Sequence, residues 1–166
     1  MCSQLLYFVR SLSFIPLKPK MSVVPHNLLP VAATANGIFA GLGLTLNAVT
    51  VPALRASGYS PAGWAVTYDN GHYIGIGSIL ISSAAHFYTY YLTKNHRSLC
   101  CGILSFISFP YTIIFMKSTN DRLHAISRNP TTADPKEVVQ LVEKWNRLQM
   151  FRTVTGTLAF VLTIFY

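Results

Sequence analysis

From Leu28 to Leu54 the chain reads LLPVAATANGIFAGLGLTLNAVTVPAL, without one charged side chain. Nothing else in the sequence restricts the fold so strongly. A helix rising 1.5 Å per residue crosses the hydrocarbon of a bilayer in about 20 residues, and this run is longer. Three further apolar runs follow: Tyr73 to Leu92, Leu99 to Met116, and Met150 to Tyr166 with Arg152 near its start. They are too long for barrel strands and lack period-two alternation. The sequence therefore predicts an all-α fold, an integral-membrane four-helix transmembrane bundle. The short link Lys94–Ser98 makes the second and third helices antiparallel neighbours. Composition agrees: 51% of residues are apolar and 11% charged, where a soluble domain carries about 25% charged.

The organisation expected is an N-terminal tail over 1–27 and a helical domain over 28–166. The first twenty residues hold Arg, Lys and Ser but no acid. They are either a targeting segment or an extension upstream of a start at Met21. Gly37, Gly41 and Gly43 on the first helix, and Gly71, Gly75 and Gly77 on the second, permit close helix contact. NPTTADP, from Asn129 to Pro135, is a loop. Asp134 then suits an N-cap and Pro135 the first helical position. Val138, Leu141, Val142, Trp145 and Leu148 form one apolar stripe. This predicts an additional amphipathic interfacial helix running into the last span.

The formal net charge is +8. Nucleic acid does not explain it, because the basic residues are scattered between apolar runs. Anionic headgroups of a lipid bilayer do. Cys2, Cys100 and Cys101 show no C-x-x-C spacing, which argues against zinc and disulfide chemistry.

Polar groups inside a bilayer cost free energy unless paired, so each is a functional candidate. Asn36 and Asn47 lie eleven residues apart on one face of the first helix, set either for interhelical hydrogen bonds or for a polar cavity. The second helix carries Asp69, Asn70, His72 and His86. Haem held between two histidines would need a second histidine on a facing helix, and none is there. His72 and His86, roughly 21 Å apart along one helix, cannot share one metal ion. Asn146, Gln149, Arg152 and Thr153 form a polar stripe entering the last span. The third run ends in the polar knot Lys117, Asn120, Asp121, Arg122 and His124.

Two stretches, PYTIIFMKSTNDRL (Pro110 to Leu123) and LVEKWNRLQMFR (Leu141 to Arg152), resemble the fungal anthrone oxygenases, which are small four-helix membrane proteins. The resemblance covers about residues 28 to 166. The family pattern has Asn or His where Gln149 stands. The resemblance implies oxidation of a polycyclic anthrone to an anthraquinone by O₂ in fungal polyketide secondary metabolism. It implies no flavin or nicotinamide, with O₂ as co-substrate. The expected partners are an apolar polycyclic substrate and the lipid bilayer, in an endomembrane such as the endoplasmic reticulum or a vesicle, with a homo-oligomer left open. The C-10 methylene of an anthrone is acidic because its anion is aromatic, so the chemistry asks for a base and an oxyanion donor. His72 is the first candidate base and His86 the second. Arg152, Asn120 and Gln149 are candidates for holding the developing oxyanion or a phenol. Tyr111 and Trp145 could stack on the polycycle, Asn36 and Asn47 could line its cavity, and Arg122 could close it at the surface. The alternative function is a non-catalytic scaffold or carrier for an apolar metabolite.

Overall fold

The computed structural model describes residues 28–165. The tail over 1–27, with Cys2, His26 and the choice between Met1 and Met21, lies outside the described residues. Among these residues there is no strand; four long helices carry the fold: α1 (Leu28–Ala56), α2 (Pro61–Thr93), α3 (His96–Arg128) and α4 (Pro135–Ile164). Each boundary has a local cause. Ser60 caps α2 by accepting from the Gly63 N–H, with Pro61 at the first position. Lys94, left-handed at φ 56°, ends it. Asn95 caps α3 by accepting from the Arg97 N–H. Asp134 caps α4 through the Lys136 N–H, as the sequence predicts.

Two helices are locally underwound into wider π-turns, at Leu46–Thr50 in α1 and Thr112–Met116 in α3. A proline lies close to each, Pro52 and Pro110. A proline inside a helix removes one backbone donor and clashes with the preceding turn, and a π-turn redistributes the bonds it disturbs.

Around the bundle α1 packs on α2 and α4, and α3 packs on the same two helices from the other side. Around Asn36 and His86 the packing is polar inside and apolar outside. His86 and Asn36 are 0% and 1% exposed, while Tyr73 and Ile114 are 74% and 69% exposed. Asn36 ties all four helices together. Its amide faces His86 Nε2 on α2 at 3.2 Å, donates to Thr163 on α4 and accepts from Ser105 on α3. Asn47 donates to Asn146 and accepts from Thr153, both on α4. Both asparagines of α1 thus turn toward α4, as their spacing predicts. Gly43 allows that contact, since a Cβ there would lie 2.7 Å from Thr153 Oγ1, and Gly156 admits the Phe39 ring in the same way. Gly41 and Gly77 face open space and are not contact glycines.

Two of the four helices, α1 and α3, are long and apolar enough to cross a membrane. The stretch Tyr73–Leu92 lies in α2 and residues 150–164 lie in α4; both helices are more polar because they present serines, threonines, His86 and Arg152 to their neighbours. The amphipathic stripe before the last apolar run is present, on one helix continuous with that run. Val138, Val142 and Trp145 pack with Trp64, Leu54, Met116, Leu123 and Ile126 into an apolar core at the polar end of the bundle.

Candidate active site

The steps 68, 72, 76 and 79 lie on one face of α2, so Tyr68, His72, Ile76 and Ile79 point the same way. They form one wall of a cavity of about 230 Å³. Phe109, Thr112, Ile113, Lys117, Asn120 and Asp121 of α3 form the other wall, and Arg152 of α4 closes the floor. The π-turn at Thr112–Met116 sets the angle at which the α3 wall meets the cavity. Ile76 and Ile113, both exposed on the outer surface, leave its mouth apolar, between α2 and α3. Lys117 and Asp121 pair at 2.6 Å beside it.

The hydrogen bonds fix what each group offers. His72 Nδ1 lies 3.1 Å from the carbonyl oxygen of Tyr68. A carbonyl only accepts, so Nδ1 carries the proton and Nε2 keeps its lone pair. Tyr68 stacks on the His72 ring with centroids 5.4 Å apart. Asn120 Nδ2 donates to the Tyr68 hydroxyl at 3.2 Å. The hydroxyl hydrogen of Tyr68 is thereby free to donate elsewhere. Asn120 Oδ1 is buried without a partner.

Arg152 is the decisive group. Nη1 donates to Gln149 Oε1 at 2.9 Å, and the guanidinium lies 5.5 Å over the Phe39 ring. Nε is buried and unpartnered. Among the described residues no carboxylate pairs with it, although Arg55, Lys117 and Arg122 all have acidic partners. A guanidinium is always charged. With Nε buried and no carboxylate beside it, the cation carries an unmet hydrogen-bond donor, which is costly. It lies beside Gly75 of α2, where a Cβ would meet Nη2 at 3.6 Å, an ordinary contact. A second, smaller cavity lies on the other side of the guanidinium, bordered by Trp145 and Gln149 and by the same Tyr68, His72 and Arg152.

The structure therefore brings His72, Asn120 and Arg152 together, with Gln149 and Trp145 just behind. It does not bring the others. His86 sits in the sealed network with Asn36, Thr163 and Ser105, bordering neither cavity. Asn47 is engaged with Asn146 and Thr153. Tyr111 stacks on Phe151 with centroids 4.2 Å apart, behind the wall. Arg122 turns away to a bidentate pair with Glu137 at 2.7 and 2.9 Å. It is two residues from Asn120, about 200° around the helix, so the two cannot close one cavity. Trp145 is buried edge-on against Trp64. Sequence reasoning missed Tyr68, although its position four residues before His72 and eight before Ile76 marks it as facing with them. Among the described residues no three of His, Cys, Asp and Glu gather into a group that could hold a metal ion.

No solved structure matches this chain. Two catalogued proteins do. An anthrone oxygenase of Cryptosporiopsis sp. is 29% identical over 143 residues, 82% of each chain. A noranthrone monooxygenase of Aspergillus flavus is 27% identical over 137 residues, 75% of this chain and 65% of that protein. The family model described as anthrone oxygenase matches residues 64–162. That segment opens four residues before Tyr68 and runs past Arg152, so every polar side chain of the cavity lies within it, and the chain belongs to the anthrone oxygenase family.

Proposed function

We propose that this protein is a membrane-embedded oxygenase that converts a polycyclic anthrone to its anthraquinone with O₂; the names of its relatives, an anthrone oxygenase and a noranthrone monooxygenase, support the substrate class. The observation that carries the reading is the carboxylate-free guanidinium of Arg152, its Nε buried without a partner, at the floor of a cavity whose wall holds His72.

A flat, apolar anthrone enters from the bilayer through the apolar mouth at Ile76 and Ile113 and lies between the α2 and α3 walls. His72 Nε2 removes a proton from C-10. The electron pair delocalises onto the carbonyl oxygen, making an aromatic anthranolate. Arg152 and the free hydroxyl hydrogen of Tyr68 receive that oxyanion, and Asn120 holds the Tyr68 hydroxyl in place. Such donors act strongly because they are preorganised in a water-poor site. O₂ then adds at C-10 to give a peroxide, which takes up a proton from the His72 imidazolium. Loss of the second C-10 hydrogen with cleavage of the O–O bond forms the new carbonyl. The sum is CH₂ plus O₂ giving C=O plus H₂O, so the anthrone itself supplies all four electrons. His72 gives back the proton it took, and no reductant enters. Membranes bearing the protein should form quinone from an anthrone under air faster than empty membranes, and His72→Ala should lower that rate by at least about tenfold, since a general base contributes about 10²- to 10⁴-fold. No rate above empty membranes for several anthrones would favour the carrier instead.

A further inference from the structure

Gln149 stands three residues before Arg152 on α4, so the two share one face of the helix. It is 1% exposed and borders the smaller cavity but not the larger one. Its Oε1 accepts from Arg152 Nη1 at 2.9 Å. Among the described residues this is the guanidinium's one hydrogen bond. The Phe39 ring, 5.5 Å away, attracts the charge without fixing which edge of its plane faces the larger cavity. An arginine stem is long, and its head turns toward water or a carboxylate. Asp121 borders the larger cavity together with Arg152, and Lys117 already holds it at 2.6 Å. Arg55, Lys117 and Arg122 are each held by a carboxylate, whereas Arg152 is held by a neutral amide. A carboxylate in that place would fix the guanidinium more firmly and cancel its charge. An amide oxygen fixes it and leaves the charge whole.

We infer that Gln149 is a positioning residue: its amide oxygen holds the Arg152 guanidinium at the floor of the larger cavity without neutralising it. The inference rests on the oxygenase reading above, in which the guanidinium meets the oxyanion formed as C-10 loses its proton. Gln149 touches no reacting atom in that scheme and acts through Arg152. The oxyanion is absent from the bound ground state. What Gln149 secures is therefore transition-state stabilisation, and its loss falls on kcat rather than on KM for anthrone.

Gln149→Met keeps the length of the side chain and removes the acceptor. Initial quinone formation in nanodiscs, corrected for autoxidation, should show kcat lowered about three- to tenfold, with KM for anthrone nearly unchanged. Made on top of Arg152→Met, the same substitution should change kcat by less than about twofold, because nothing is left to position. Gln149→Glu should hold the guanidinium as an ion pair, so the unfolding midpoint rises while kcat falls about tenfold or more. Added to Arg152→Met, it should not raise the midpoint. Full kcat in Gln149→Met overturns the inference. So does an equal loss with and without Arg152, which a merely structural role gives, and so does a raised KM at unchanged kcat, which would set Gln149 against the substrate. Should Gln149→Met fail to fold, wild-type kcat in the isosteric Gln149→Glu overturns the inference with the same force. Wild-type membranes no faster than empty ones would sink the oxygenase reading instead, and the midpoint of Gln149→Glu with and without Arg152 would still report the tether.

Discussion

Arg152→Met separates chemistry from architecture. Methionine keeps an apolar chain in the space of the arginine stem and removes the charge. In the free protein Arg152 contributes one hydrogen bond, to Gln149, and leaves Nε unpartnered. Removing it breaks no ion pair and removes that unmet donor, so the unfolding midpoint in detergent should hold or rise. In the transition state the guanidinium adds a charge-assisted hydrogen bond to the oxyanion, worth about 1.5–3 kcal/mol. At about 1.4 kcal/mol per factor of ten, kcat/KM should fall about 10- to 150-fold. Arg152→Lys, with a point charge but no planar fork, should lie between. The assay is initial quinone formation in nanodiscs, corrected for autoxidation, beside a thermal melt of the same sample. Full activity in Arg152→Met would refute the oxyanion role. Loss of activity in step with loss of folded protein would make Arg152 a structural residue.

Tyr68→Phe removes a neutral donor worth about 0.5–1.5 kcal/mol, so kcat/KM should fall about two- to tenfold while the melt is unchanged; equal activity would leave the Tyr68 hydroxyl outside the site. His86→Ala strips Asn36 and Thr163 of a partner in the sealed network, costing about 1–3 kcal/mol of stability at unchanged activity per folded molecule; intact stability with lost turnover would instead place His86 in the chemistry. Gly156→Ala puts a Cβ 2.5 Å from Phe39 Cδ1, and Phe39 is itself buried, so overpacking should cost about 1–3 kcal/mol, read by the same melt. The hydrogen bond from Arg55, joined by one from the Tyr59 hydroxyl, holds the Glu143 carboxyl below the usual carboxylate range, before the apolar part of α4 begins. Its contribution is full above the unfolded value near about 4.3 and lost as pH falls through the lower folded value. Melts in the wild type should therefore weaken below about pH 4 more than in Glu143→Gln, and parallel curves would refute that.

The helices were legible because apolar length is a coarse signal that survives local detail. Asp134 and Pro135 marked the start of α4 because capping chemistry is local. The site was legible in part. His72 and Asn120 stood out as polar groups at the ends of apolar runs, and Arg152 as one near the start of the last run. Tyr68 did not, because hydropathy places the start of the second span at Tyr73, whereas backbone hydrogen bonding carries α2 back to Pro61. A residue that looks like a loop at the interface is mid-helix, on the same face as His72. The stripe Asn146, Gln149, Arg152 and Thr153 is one line in sequence but two sets in space. Asn146 and Thr153 bond to Asn47, while Gln149 and Arg152 border the cavities. Spacing alone cannot decide which edge of a wide stripe meets a neighbour and which meets a void.

The two polar clusters answer different physical demands. In the network around Asn36, side chains from all four helices satisfy one another, with His86 Nδ1 left over, and neither cavity beside Arg152 is lined by it. Its value is register: four helices with apolar outer faces slide easily, and one asparagine bonded to all its neighbours fixes their relative heights. Around Arg152 the balance is reversed. Arg152 Nε, Asn120 Oδ1 and Trp145 Nε1 are buried without partners, all near the two cavities. Each such atom costs about 1–3 kcal/mol while it waits, a cost that packing alone would remove by letting the helices close. The helices do not close, because the π-turns in α1 and α3 and the rings of Phe39 and Phe109 keep the space open. Under the proposed function, unpaired polar atoms beside a cavity with an apolar mouth suit a ligand that is apolar in body and carries one oxygen. An anthrone has that shape, and its charge develops on that oxygen when C-10 loses its proton.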